Sequence, residues 1–253
     1  FGAMAGWGLA LFWVVRTAPP AQSSVDWDAL GPSWASTPQL LASALPFAIT
    51  LGILPYVVRI EKFMVAASGG AELGAVFHVA QLAWLAGLVV PAAVRSALLP
   101  VLGDARFKPL KHRRELNNAV DMCFGLLPYG LFGGHLVVTL FAPMAFPADY
   151  LDGTYGASAI DVFTVLLAGW GLTLLATPTY TALMAGDRPW RFTLFIALVL
   201  LAAGMFGAVL VLNGPSDPGQ KLYAGAVASS LSAAVLLGLS WWMSGEFSTI
   251  VAR

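Results

Sequence analysis

Ionisable and helix-perturbing residues recur along one side of an apolar stretch near the middle of the chain. Gly125, Pro128, His135 and Thr139 follow Asp121 at offsets of 4, 7, 14 and 18 residues, so a helix would place all five on one face. A carboxyl or imidazole at membrane depth is costly unless it faces water or a polar partner. Asp121 and His135 are therefore candidates for ion coupling in a water-accessible cavity. The alternative is that they hydrogen-bond to neighbouring helices as packing groups.

A second polar set lies earlier, on both sides of Pro91. His78 and Gln81 are about one helical turn apart, and Arg95 falls near the same side of the same predicted helix, which Pro91 can kink. A permanent cation near the cytoplasmic end of a cavity would attract phosphate. Arg95 could equally extend to a basic membrane surface. His78, Gln81 and Arg95 are candidates for substrate binding.

Three charged residues, Arg59, Glu61 and Lys62, stand together at the end of an apolar run. One interpretation is an interfacial anchor, in which the two cations reach lipid headgroups and Glu61 compensates their charge. The other is a charged rim at the outer mouth of a cavity, which makes Arg59 and Lys62 further candidates for substrate binding.

Signals for enzymatic chemistry are sparse. Asp26 and Asp28 imitate the Asp-x-Asp pair of some glycosyltransferases, but no nucleotide-binding domain accompanies them. The three histidines are too dispersed for a familiar metal motif, and no phosphate loop or nucleophile triad is recognisable. Cys123, the one cysteine, sits in an apolar stretch typical of a buried thiol. We expect no catalytic residues, no metal site and no cofactor, and therefore not an enzyme.

The composition predicts the elements that carry these residues. Of 253 residues, 58% are apolar and 10% charged, and the mean hydropathy is +0.79. Soluble domains carry about 25% charged residues. Equal numbers of basic and acidic residues, 13 each, argue against a nucleic-acid binder. The sequence therefore predicts an all-α integral membrane protein.

Apolar runs broken by charge and by Gly/Pro clusters predict seven membrane spans. They cover residues 1–15, 40–58, 73–101, 117–143, 159–184, 190–212 and 221–243. The first is expected to be a truncated helix, because the sequence opens inside a hydrophobic run with no initiator Met. Loops are expected at 16–39, 59–72, 102–116, 144–158, 185–189 and 213–220.

Basic residues predict the orientation of these spans. The loop around residues 106–114 and the turn at 188–191 are separated by two spans, so both lie on one side, and both are rich in Lys and Arg. Cytoplasmic loops carry that excess. We expect a multi-pass protein of the cell inner (cytoplasmic) membrane, with residues 16–39 and the C-terminus on the cytoplasmic side.

The order of features over residues 40–250 resembles a known family. It includes the stretch LPYVVRIEKFMVAA, a Gly-aromatic step at 74–77, a long helix closing on Leu99-Pro100, a basic loop, a Phe141-Ala142-Pro143 helix exit and the turn ALMAGDRPWR. This resembles the C-terminal half of a polysaccharide flippase of the multidrug/oligosaccharidyl-lipid/polysaccharide exporter superfamily.

The resemblance implies one bundle of a two-bundle transporter. Residues 1–15 would end the preceding helix, 16–39 would form the cytoplasmic inter-bundle loop and 40–253 the C-terminal six-helix bundle, with the N-terminal bundle of the same protein as its partner. The implied activity is alternating-access translocation of a lipid-linked oligosaccharide or polysaccharide repeat unit, whose phosphate would meet Arg59, Lys62 and Arg95. The expected partners are lipid-linked glycan and membrane lipid.

Three other functions stay open. A cation-coupled multidrug exporter of the same superfamily would use Asp121 as a proton or sodium site. A membrane-embedded enzyme of glycan assembly would need an essential acidic or histidine residue. A non-transporting membrane scaffold would need none of the intramembrane polar residues.

Overall fold

The part of the chain that the structure describes consists of helices joined by loops and contains no strand. The computed structural model describes residues 45, 46, 48–50, 52–54, 56, 57, 59–105, 107–186 and 189–244. Besides helical backbone among residues 45–57, it contains a short 3₁₀ helix, Ala148–Tyr150, and six α-helices: α1 (Ile60–Gly87), α2 (Val89–Ala105), α3 (Pro109–Ala145), α4 (Ala159–Ala185), α5 (Pro189–Gly207, prolonged by a π-helical turn Ala208–Leu212) and α6 (Pro218–Ser244). The predicted all-α class is confirmed.

Five segments in this part of the chain are long and apolar enough to cross a membrane. They are Ile60–Ala105, Pro109–Ala145, Ala159–Ala185, Trp190–Leu212 and Pro218–Ser244. These helices carry mostly apolar side chains on all their faces, as expected where lipid replaces water as the solvent. The predicted first span, 1–15, and the predicted loop, 16–39, lie outside the described residues.

The predicted loop at 59–72 is wrong, because the chain reverses within a single residue, Gly70. Residues on both sides of Gly70 are helical, and Gly70 itself has φ 86° and ψ 175°. A Cβ added to Gly74 would lie 2.7 Å from the Cβ of Ala66. In a continuous helix those two residues would be about 12 Å apart, so the two arms of α1 fold back on each other. Gly70 supplies the positive φ, and Gly74 permits the close approach.

The predicted loop at 102–116 is also mostly wrong. Helix α2 continues to Ala105 and α3 begins at Pro109, leaving three residues between them. Proline suits the first turn of a helix because its missing N–H would have no intrahelical partner there. The predicted span 117–143 is therefore the membrane-crossing part of a 37-residue helix.

The centre of the bundle is the packing of α4 against α6, which run in the same direction. Gly169 lies against Ser230, and the Thr179 and Ser240 hydroxyl groups are 2.7 Å apart. Near the start of both helices, Gly156 approaches Gly219 so closely that a Cβ on either would collide with backbone. Small residues at successive contacts let the two backbones approach. This pair anchors the other helices around it.

Candidate functional site

Contacts near Thr50 and Ser68 define how deep the described residues between them lie. At one end the Thr50 and Thr193 hydroxyl oxygens are 2.9 Å apart, and at the other Lys221 donates to the Ser68 carbonyl at 2.7 Å. Thr193 lies near the start of α5 and Lys221 near the start of α6, which are at opposite ends of the bundle. Between Thr193 and the end of its π-helical turn at Leu212, α5 rises about 28 Å, close to the ~30 Å of a hydrocarbon core.

Arg59 lies halfway along this segment and interrupts its helix. Its backbone is at φ −129° and ψ −5°, and the regular helix begins at the next residue, Ile60. Ile60 packs opposite Gly204, well inside α5. The Arg59 side chain is nevertheless exposed, and that of Lys62 is half-buried. The charged cluster thus lies at mid-depth rather than at the end of a span, because the turn comes at Gly70.

Glu61, between these two cations, points inward. Its side chain is 1% exposed. Ser232, in the middle of α6, places its hydroxyl 3.3 Å from Glu61 Oε1, whereas Glu61 Oε2 has no hydrogen-bond partner among the described residues. Both ends of α6 are about 20 Å from Ser232 along the helix. A carboxyl group is therefore buried near the centre of the bundle.

Glu61 and Ser232 line a cavity of about 650 Å³ inside the bundle. Most of its lining is apolar, and its polar groups gather in two places. The lining also includes other serine and threonine residues, Thr50, Ser96, Thr173 and Ser229. A concave, mainly apolar cavity with a few convergent polar groups is typical of a ligand site.

The second polar place in the cavity is formed by Arg95 and Tyr180. Both residues line the cavity, and the Arg95 guanidinium lies near the Tyr180 hydroxyl. Ser230 lies against Gly169, so Ser232 and its neighbour Glu61 lie level with about residue 171 of α4. Nine residues of helix separate that level from Tyr180, or roughly 14 Å. The cavity thus holds a carboxyl group and a guanidinium at different depths.

His78 and Gln81, the other predicted binding residues of this region, do not line the cavity. Gln81 is buried, and His78 is half-buried with Nδ1 lacking a hydrogen-bond partner in the described structure. Lys62 and Arg59 lie within electrostatic range of His78. The structure therefore groups His78 with the two mid-depth cations and groups Arg95 with Glu61.

Asp121 and His135 lie on the exposed face of α3, away from the cavity. All five residues that share the predicted polar side of this helix are exposed: Asp121, Gly125, Pro128, His135 and Thr139. His135 Nδ1 lies 3.1 Å from the Thr164 hydroxyl of α4. All five belong to one helix, α3, as their spacing predicts. Their roles in ion coupling stay predictions.

Two cavity residues, Tyr180 and Ser232, were not predicted from the sequence. Neither has a local signal, because a tyrosine or serine in an apolar helix is common. At the end of a predicted span, Glu61 indicates only a charge that compensates Arg59 and Lys62. Placing the turn at Gly70 instead of after Val58 would have put this acid at membrane depth, where an ionisable group indicates function.

The described residues contain no group of three or more His, Cys, Asp or Glu side chains that could hold a metal ion. Cys123 is buried and carries a free thiol. Comparison of the chain with protein-family models, with curated proteins and with solved structures found no match. The length and composition of its helices make the chain a multi-span, all-helical membrane protein.

Proposed function

We propose that this protein is a carrier that moves a lipid-linked oligosaccharide or polysaccharide repeat unit across the cytoplasmic membrane by alternating access. The described helices would form one of its two bundles. The substrate's phosphate would bind at the cationic face formed by Arg59 and Lys62, where that face borders a hydrated space between the bundles.

The observation that carries this proposal is the exposure of Arg59 at mid-depth. Placing an arginine at the bilayer centre costs about 2.5–3.5 kcal/mol even on insertion scales. An exposed Arg59 and a half-buried Lys62 at this depth are therefore better accommodated by water or by polar protein groups than by lipid chains. Two neighbouring cations in a hydrated cavity concentrate anions and favour phosphate.

The interrupted helix at Arg59 supports the same function. Irregular backbone at membrane depth is tolerated where it lines a cavity or is buried in protein. Broken helices at this depth mark the substrate sites of many carriers. His78, within electrostatic range of both cations, extends the polar character of this face.

A second candidate, a cation-coupled multidrug exporter, is favoured by Glu61. A buried carboxyl with one unpartnered oxygen, on the wall of a cavity at mid-depth, is suited to bind a proton or a monovalent cation. In that function an amphipathic organic cation replaces the lipid-linked sugar. Glu61 lines the cavity, whereas Asp121, the acidic residue that the sequence predicts for ion coupling, does not.

Substrate competition in proteoliposomes separates the two candidates. Purified protein is reconstituted with a fluorescent polyprenyl-diphosphate oligosaccharide, and the fraction protected from an external quencher is followed over time. Protein-dependent translocation that amphipathic cations do not inhibit supports the flippase. Efflux of an amphipathic cation driven by an ion gradient, with no movement of the sugar lipid, would show the exporter instead.

A further inference from the structure

We propose that the cavity inside the bundle binds a single-chain amphiphile with a phosphate head group. The phosphate binds at Arg95 and Tyr180, and the alkyl chain extends toward Trp84. This site is separate from the exposed Arg59 face and does not depend on the carrier function proposed above.

The surroundings of Arg95 assign the phosphate-binding end of the site. The guanidinium lies beside the neutral Tyr180 hydroxyl, and no acidic side chain forms an ion pair with it among the residues that the structure describes. Guanidinium groups bind phosphate through charge-assisted, often bidentate hydrogen bonds. A partly buried guanidinium that forms no ion pair within the described part of the chain is thus matched by a phosphate anion.

The alkyl-chain end of the site is assigned from the apolar wall of the cavity between Arg95 and Glu61. Pro91, Ile196 and Val199 are buried residues of this wall, and Leu88 and Leu54, both half-buried, also belong to it. About 14 Å of helix separates the level of Tyr180 from that of Glu61. This length of apolar surface matches an extended alkyl chain better than a compact hydrophilic anion.

Charge fixes the orientation of the bound ligand in the cavity. The carboxyl group of Glu61 offers a phosphate no positive charge at its end of the cavity, whereas Arg95 attracts an anion. An amphiphile therefore places its phosphate at Arg95. Inorganic phosphate lacks the chain, and a long-chain alcohol lacks the charge, so each should bind more weakly.

Binding is measured with the purified protein in nanodiscs of zwitterionic lipid. The probe is dodecyl phosphate carrying a bromine at the end of its chain, which quenches tryptophan fluorescence at short range. Trp84 lines the cavity, so quenching should saturate with concentration and should largely disappear in Trp84→Phe. Unbrominated dodecyl phosphate should reverse the quenching, and dodecanol or inorganic phosphate should not.

Two variants locate the site. Arg95→Gln should weaken dodecyl phosphate binding about tenfold or more, because it removes a charge-assisted contact. Arg113→Gln removes an equal charge from an exposed position in α3 and should leave binding unchanged. Ala92→Phe adds a ring to the cavity wall and should weaken binding while Arg95 is kept, which gives a second test if Arg95→Gln folds poorly.

Three results would overturn the proposal. Equal competition by dodecanol would mean that the head group is not recognised. Equal competition by inorganic phosphate would mean that the chain is not. Equal binding by Arg95→Gln, Ala92→Phe and Arg113→Gln would place the probe elsewhere. Any of them leaves the proteoliposome experiment on the carrier unaffected, so the two proposals fail separately.

Discussion

The Ser232 hydroxyl of α6 lies between two acceptors, the Ala228 carbonyl at 2.7 Å and Glu61 Oε1 at 3.3 Å. Ser232 and Glu61 are 171 residues apart in the chain. A hydroxyl group has one hydrogen to donate. The carbonyl and the carboxylate therefore compete for it, and the longer contact to Glu61 is the weaker of the two.

This competition predicts the effect of Glu61→Gln on stability. A glutamine amide can donate to the Ser232 oxygen, so the hydroxyl can keep its shorter bond to Ala228. Replacing the carboxyl also removes the cost of burying an incompletely partnered acidic group. We expect the unfolding temperature in detergent to equal or exceed that of the wild type. Glu61→Lys, which buries a cation instead, should lower it clearly, and a large loss of stability in Glu61→Gln would contradict this account.

Transport should depend on the mid-depth cations. Arg59→Ala and Lys62→Ala should each reduce translocation of the lipid-linked sugar about tenfold, because each removes a charge-assisted contact to phosphate. Arg113→Ala serves as the control, since Arg113 is exposed near the start of α3. Initial rates in proteoliposomes at matched protein content provide the measurement. Similar rates in all three variants would exclude the Arg59 face from the substrate path.

Gly130 should be the most sensitive glycine of α3. A Cβ at Gly130 would overlap the Trp170 ring, whose Nε1 donates to the Gly87 carbonyl at 2.8 Å. Gly130→Ala should therefore destabilise the protein by about 1–3 kcal/mol. Gly125→Ala, in the same helix with nothing within 4 Å, should be neutral or stabilising. Thermal unfolding in detergent compares the two, and equal shifts would contradict the packing of Trp170 against α3.

The loop after α3 should respond to pH through Asp152. The Thr154 hydroxyl and N–H donate to Asp152 Oδ1 at 2.6 and 2.9 Å, and these bonds hold the pKa of Asp152 below its ordinary value of 3.8. A pKa lowered by folding contributes stability that is present above the ordinary value and is lost as the pH falls through the lowered one.

Removing the hydroxyl tests this bond directly. Thr154→Ala should raise the pKa of Asp152 toward its ordinary value, and Thr154→Ser, which keeps a hydroxyl, should leave it low. The carboxyl carbon chemical shift, followed by NMR against pH in the detergent-solubilised protein, reports the titration. Identical titrations in the two variants would show that the hydroxyl bond does not form in solution.

Local sequence is sufficient to predict the helices and several of their limits. Apolar length predicts α4 at 159–184, and the structure has Ala159–Ala185, where the Ser158 hydroxyl accepts from the Ile160 N–H at the start. Periodicity likewise predicts that Asp121 and His135 share a face, because both belong to one helix. Such features depend on neighbours a few residues away in the sequence, so they can be predicted from composition and spacing.

The turn at Gly70 shows where local reasoning fails. Charged residues at 59–62 indicate a loop, yet the chain continues as a helix for about two more turns before it reverses. The reversal is stable because Gly74 can lie against Ala66 and Lys221 can reach the Ser68 carbonyl. The second of these contacts comes from a distant part of the chain and has no signature near Gly70.

The cavity depends on tertiary packing for the same physical reason. Glu61 becomes a buried carboxyl only because α6 places Ser232 beside it, and Arg95 becomes a cavity residue only because α4 places Tyr180 beside it. Hydrophobic length decides that a helix enters the membrane, since that free energy sums over its own residues. Which polar side chains then meet depends on how the helices pack against one another, and that packing assigns Glu61 and Arg95 to one cavity and Arg59 to the exposed face.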